Sequence, residues 1–158
     1  MNTPESMRLA AGWERPPSGD DASAICNLLQ AYAMFSDNGC RAELIGVFTA
    51  DATWDGTATG YDYCVGPEQI ADTVLQHLDP ACPMVHLAGP PLLVSIDEDT
   101  VEAFSWCLAT RLVEGVTKPI MYFSYQDVIV RTTAGWRFRS RVLSLTLTHS
   151  SSASRPES

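Results

Sequence analysis

Apolar residues recur at helical spacing through Ile25, Leu28, Leu29 and Tyr32, the stripe of one amphipathic helix. Ser18-Gly19-Asp20-Asp21 ahead of it offers an N-cap and an acidic first turn. The pattern predicts a helix running to about Ser36–Asp37 and stopping at Asn38-Gly39. A short helix follows from Arg41 to Phe48, apolar at Leu44, Ile45, Val47 and Phe48. Asp51-Ala52-Thr53-Trp54 reads as a brief strand and Gly56 to Gly66 as a loop. Gly66-Pro67-Glu68 opens a third helix through about His77, with proline at its first position and Ile70, Val74 and Leu75 facing inward.

After Pro83 the period changes to that of strands. Met84–Leu87 is short; Pro91–Ile96 and Val101–Val113 flank the polar turn Asp97-Glu98-Asp99-Thr100. Ile120–Arg131 and Trp136–Thr148 flank Thr132-Thr133-Ala134-Gly135, a second hairpin turn. Helices first and a long antiparallel meander second is an α+β order. The expected architecture is a cone-shaped α+β barrel: three N-terminal helices on a strongly curved antiparallel sheet enclosing a pocket for a small apolar ligand. A chain of 158 residues makes one domain of this kind, expected over residues 20–148. Residues 1–19, with Arg15-Pro16-Pro17-Ser18-Gly19, and the serine-rich 149–158 read as a loosely ordered arm and tail.

Charge narrows the partners. The net charge is −9, and the termini do not cause it, since they carry equal numbers of each sign. An acidic domain repels phosphate backbones, so nucleic acid and anionic membrane are not expected, and no apolar run is long enough to span a bilayer. The start of the chain lacks a secretory apolar stretch, and its five cysteines are scattered without a Cys-x-x-Cys pair. They read as reduced thiols of a cytoplasmic protein. None of the three histidines is spaced with a cysteine or carboxylate as metal ligands are, so no metal is expected. No dinucleotide fingerprint, phosphate loop or Gly-x-Ser-x-Gly elbow occurs, and no cofactor is expected. What remains is acid–base work by His, Asp, Tyr and Arg in an apolar pocket.

Among the histidines, His149 lies in the serine tail and His77 ends the third helix, where a cation suits the dipole. His86 lies inside the apolar strand Met84-Val85-His86-Leu87, either as a core histidine satisfied by a backbone carbonyl or as a functional base. Asp37 closes the first helix at its negative end, a poor place for a carboxylate unless a cationic or hydrogen-bonding partner waits there. Tyr32 stands roughly 140° round the helix from Asp37. Both border one cavity only if the helix end distorts; otherwise Tyr32 is a core residue. Arg137 and Arg139 alternate with Trp136 and Phe138 and read as a solvated face. Arg141 shares parity with Leu143, Leu145 and Leu147, so the strand changes face or twists near Ser140, and Arg141 falls inside the cavity or outside it accordingly.

The order Ala24-Ile25, Tyr32-x4-Asp37, Leu44-x3-Phe48-x2-Asp51-Ala52-x-Trp54, Gly66-x3-Ile70, His86, Tyr125-x-Asp127 and Gly135-Trp136-Arg137-Phe138-x2-Arg141 resembles the SnoaL-like branch of the nuclear-transport-factor-2-like superfamily over roughly residues 20–145. It looks closest to the dehydratase-type members: scytalone dehydratase, bile-acid 7α-dehydratase and hexachlorocyclohexane dehydrochlorinase. The resemblance implies an aspartate at the end of the first helix paired to a histidine on a following strand, positions held by Asp37 and His86. It implies a catalytic role for Tyr32 and a pocket arginine at Arg141. Ketosteroid isomerase, a more distant relative, carries its catalytic aspartate where Gly56 stands, so isomerase chemistry by that route is not implied. Asp55 next to it has the wrong strand parity. The pocket acid on the long strand of the bile-acid enzyme also finds no match, because Trp106 lies near there, which speaks against a coenzyme A thioester.

The expected function is a cofactor-independent β-elimination on a small hydrophobic alicyclic, steroid-like or polyketide-like substrate. His86 takes a proton beside an electron-withdrawing group, Asp37 fixes its tautomer, Tyr32 polarises a carbonyl or protonates the departing hydroxide, and Arg141 stabilises developing charge. Strand alternation sets 121, 123 and 125 on one face and 104, 106 and 108 on another, giving Trp54, Trp106, Leu108, Met121 and Tyr125 as walls. A SnoaL-type cyclase or isomerase with the same pocket, a non-catalytic ligand-binding module and the small subunit of a ring-hydroxylating dioxygenase are the alternatives. A homo-oligomer, trimer or dimer, is expected because an open sheet face bearing Trp and Phe must be covered.

Overall fold

The computed structural model describes residues 13–148 apart from His77, with the side chains of Leu147 and Thr148 also outside the description. The two flanking histidine assignments, His77 and His149, therefore fall outside the described residues, as do most of the arm and the whole serine tail. Three α-helices come first: α1 (Gly19–Asp37), α2 (Arg41–Gly46) and, after two strands, α3 (Pro67–Leu75). Ser18 caps α1, its hydroxyl oxygen accepting the Asp21 amide at 3.3 Å. The strands are β1 (Phe48–Asp55), β2 (Tyr63–Val65), β3 (Met84–Ala88), β4 (Leu92–Ser95), β5 (Thr100–Val113), β6 (Val116–Thr132) and β7 (Gly135–Thr148).

The sheet runs β2-β1-β7-β6-β5-β3, with β4 also pairing β5. Most neighbours are antiparallel, as the meander pattern requires, but β1 lies parallel to β7, so the sheet is mixed where an antiparallel one is expected from sequence. The reason is topological: β1 precedes a helix and the whole meander, and inserts between β2, its neighbour in sequence, and the last strand. The sheet curves without closing, and α1 lies against β3 and β7. Ile25 of α1, Leu44 of α2, Ile70 of α3, Ile129 of β6 and Phe138 of β7 are wholly buried between the layers.

Local differences from the sequence pattern have local causes. The second helix ends at Gly46 because Phe48 already starts β1. The expected loop over 56–66 contains a 3-10 turn at Thr57–Thr59 and the strand β2. Between β5 and β6 the chain turns in two residues, Glu114 and Gly115, both at positive φ (52° and 76°), the geometry of a tight hairpin. Register slips sharpen the curvature. Val128 faces Ser140 while Ile129 faces Phe138, leaving Arg139 as an extra residue in β7. This bulge turns both Phe138 and Arg141 inward, and it is the change of face the leucine parity demands.

Candidate active site

The end of α1 is tied to β3 by the Asp37 side chain. Asp37, the last residue of α1, directs both carboxylate oxygens at His86: Oδ1 lies 2.6 Å from the ring Nδ1, and Oδ2 accepts the His86 backbone amide at 2.8 Å. Both side chains are largely buried, at 13% and 16% exposure. A carboxylate only accepts, so Nδ1 carries a proton, and in the neutral ring Nε2 is the acceptor. The unfavourable position of an acid at a helix C-terminus is thus answered by two donors from the neighbouring strand.

His86 borders a cavity of about 370 Å³, whose lining includes Tyr32, Trp54, Met121, Phe123, Tyr125 and Leu143. That volume stands at the lower end of the ~300–1,000 Å³ typical of small-molecule sites. Asp37 is absent from the lining and reaches His86 from an outer groove shared with Asn38, Pro83 and Val85. The helix end therefore has no need to distort: Tyr32 meets the cavity directly, and Asp37 meets it through His86. Trp54 Nε1 donates to the Tyr32 hydroxyl at 3.1 Å, so the phenol's own hydrogen remains available to a ligand. Burial raises the pKa of Tyr32, with the charge of Arg141 acting in the opposite sense. The phenol is a neutral donor at physiological pH.

Arg141 lies behind this wall rather than in it. Its Nε and Nη2 donate to the two oxygens of Asp127 at 2.7 and 2.8 Å, and both side chains are sealed from solvent. The guanidinium carbon sits 4.0 Å from the Tyr32 ring centre, 3.9 Å from that of Tyr125 and 4.3 Å from that of Phe138. Burial disfavours its charge, but the attraction of Asp127 and the two hydrogen bonds hold its pKa above the ordinary value. The expectation of a pocket arginine is corrected here: Arg141 does not line the cavity, and its fork is occupied by a carboxylate of the same chain.

The sequence from residue 18 to 142 matches the family described as SnoaL-like domain, which covers most of the chain. The protein belongs to the SnoaL-like family. No curated protein matches it at the sequence level. Among solved structures it is similar to Aln2 from a Streptomyces species, with a TM-score of 0.74, 19% identity, and coverage of 83% of this chain and 94% of that one. An NTF2-like protein with a cystatin-like fold from Novosphingobium aromaticivorans gives 0.71 at 22% identity, covering 97% and 96%. A candidate scytalone dehydratase from the same bacterium gives 0.67 at 20% identity, covering 80% and 85%. At these identities the likeness is one of fold.

Within this SnoaL-like cavity, Trp54, Met121 and Tyr125 stand among the lining residues, and two expected walls do not. Trp106 is 55% exposed on the opposite face of the sheet, edge-on to Phe104 at 5.1 Å, and Leu108 shares its parity. The correction follows from strand register: Cys107 pairs with Phe123 and Ala109 with Met121, so the odd residues of β5 share the inner face. Arg111 continues that odd series and lines the cavity, together with Tyr61. Sequence reading passes over both; the parity of Arg111 with Ala109, set opposite His86, is the available signal. Burial raises the Tyr61 pKa and the charge of Arg111 opposes the rise. At Gly56 an added Cβ would overlap the Trp54 ring and the Tyr61 Cβ, so this fold has no room for a carboxylate there. Among the described residues no cluster of three or more His, Cys, Asp or Glu could hold a metal ion, and no helix is long and apolar enough to cross a membrane.

Proposed function

We propose that this SnoaL-like protein is a cofactor-independent lyase that removes water from a small, ring-bearing β-hydroxy ketone. The observation that carries the reading is the two-oxygen hold of Asp37 on His86. It commits Nδ1 as a donor and leaves Nε2 as a base at the border of an apolar cavity. Nε2 takes the proton from the carbon beside the carbonyl, and the C–H pair becomes the enolate. Tyr32, its hydroxyl hydrogen free of Trp54, donates to the enolate oxygen. The enolate then forms the carbon–carbon double bond and expels the β-hydroxyl, which accepts the proton back from the imidazolium and leaves as water. Asp37 balances the imidazolium charge in between. Arg141, held by Asp127, acts at a distance from the reacting atoms by keeping the Tyr32 and Tyr125 rings in place against its guanidinium.

Positioned acid–base catalysis of this kind is worth about 10²–10⁴-fold. Incubation with 3-hydroxycyclohexanone and its decalone homologue in D2O tests the base and the elimination separately. The wild-type protein is expected to exchange the α-hydrogen and to form the enone. His86→Gln is expected to lose both by about 10²–10⁴-fold. Exchange that survives His86→Gln undiminished overturns the assignment of the base. Exchange without enone, with a rearranged or cyclised product instead, moves the protein to an isomerase or cyclase with the same base.

A further inference from the structure

The cavity contains a cation that the elimination chemistry does not use. Arg111 on β5 lines it, yet its Nε is buried without a hydrogen-bond partner among the described residues. Directly across the sheet, Arg111 faces Lys118 of β6, and no ion pair among the described residues involves either side chain. Like charges directly opposite on neighbouring strands repel. An arginine whose fork is partly desolvated and unfilled is a group awaiting an anion. Among the described residues the rest of the lining supplies none: it holds neither aspartate nor glutamate, in a chain whose net charge is −9. Among the described lining residues, Arg111 alone carries a permanent charge, and that charge is positive.

Register places this cation relative to the proposed base. His86 pairs with Ala109 and Met84 pairs with Arg111, so Arg111 stands two residues along the same face from the position opposite His86, about 7 Å at strand spacing. That offset spans one ring.

We propose that the natural ligand is a carboxylate-bearing ring compound, its acid group paired with Arg111 at the β5–β6 turn end of the cavity and its ring lying against Phe123 and Tyr125. Arginine suits this role better than lysine because its planar fork matches both carboxylate oxygens. Lys118, exposed on the neighbouring strand, adds long-range attraction for the same charge. The inference rests on the reading of this cavity as the substrate site, but not on the chemistry assigned to His86.

Equilibrium binding of 2-naphthoate and of 2-naphthamide, followed by calorimetry, compares an acid with its neutral counterpart. The wild-type protein is expected to favour the carboxylate about ten- to a hundredfold, the range for a charge-assisted pair. Arg111→Gln is expected to erase the preference by weakening naphthoate alone, and Arg111→Lys to keep part of it. Equal affinity for the two probes, a preference that survives Arg111→Gln, or no binding of either at millimolar concentration overturns the proposal. His86→Gln is expected to keep the preference. A wild-type protein that keeps the preference but forms neither exchanged ketone nor enone overturns the base, whereas a wild-type protein without the preference overturns the anchor.

Discussion

Asp37 holds His86 at two points, Nδ1 at 2.6 Å and the backbone amide at 2.8 Å, and so links the last residue of α1 to the middle of β3. One carboxylate fixes the ring's tautomer and the strand's position together. A histidine on a free strand could rotate its ring; here the same anion that orients the ring anchors the backbone carrying it.

Asp37→Asn separates these two tasks. The asparagine oxygen can still accept the His86 amide, but its NH2 group then faces Nδ1 as a second donor, and the enforced tautomer is lost. In ¹⁵N spectra of the neutral imidazole, the wild-type protein is expected to show a protonated Nδ1 and a bare Nε2, and the variant a shift toward the opposite tautomer. The elimination rate is expected to fall by about 10²–10⁴-fold with the fold retained. An unchanged His86 tautomer in Asp37→Asn contradicts the assignment.

The Arg141–Asp127 pair predicts a different pattern. Removing one member of a buried, bidentate pair strands the other charge, so Asp127→Leu and Arg141→Met are each expected to destabilise the protein by about 3–5 kcal/mol in urea unfolding. Replacing both, with Arg141→Met and Asp127→Leu, removes the stranded charge and is expected to recover part of that loss. The double-mutant cycle reads the coupling directly. Additive losses would mean the two side chains do not depend on each other.

Gly56 carries a packing prediction. Its φ of −102° suits any residue, so the barrier to a side chain is steric alone. Gly56→Ala must push the Trp54 ring away from its place, loosening the hydrogen bond from Trp54 to Tyr32. The expected cost is about 1–3 kcal/mol, together with a changed tryptophan emission spectrum. An unaltered spectrum and stability would show that Trp54 has room to yield.

The helix stripes, the late strands and the residues at the end of α1 are legible in the sequence because each rests on local periodicity or on one misplaced charge. Asp37 stands out as an acid at a helix C-terminus, and His86 as a polar residue in an apolar strand. What fails rests on pairing that sequence does not state. The parallel contact of β1 with β7 joins segments some ninety residues apart. Sequence alone sets Trp106 and Leu108 on the inner face because nothing local fixes the absolute parity of β5; its register with Phe123 and Met121 does. The bulge at Arg139 turns Arg141 inward, yet no sequence signal locates Asp127 as the partner that takes its charge. Arg111 is one cation among several until the register sets it on the face of His86.

Acid stability should report on Asp21. Its carboxylate ties the first turn of α1 to the β6–β7 hairpin: Arg131 Nη2 donates to Oδ2 at 2.9 Å, Ser18 Oγ to Oδ2 at 2.8 Å, and Trp136 Nε1 to Oδ1 at 3.0 Å. Arg131 in turn stacks over the Trp136 ring at 4.4 Å. The hydrogen bonds from Arg131, Ser18 and Trp136, in that order, lower the Asp21 pKa from 3.8 to about 2. A carboxylate with a folded pKa below its unfolded value stabilises the fold fully above the unfolded value. It loses that contribution as the pH falls through 4 toward 2. Asp21→Asn removes the ionisable group, so its Tm is expected to lie below that of the wild type by a constant margin above pH 5. The margin should shrink between pH 4 and pH 2, where the wild-type carboxylate takes up its proton and the two proteins converge. A margin that stays constant down to pH 2 would mean that Asp21 acts through its shape and not through its charge.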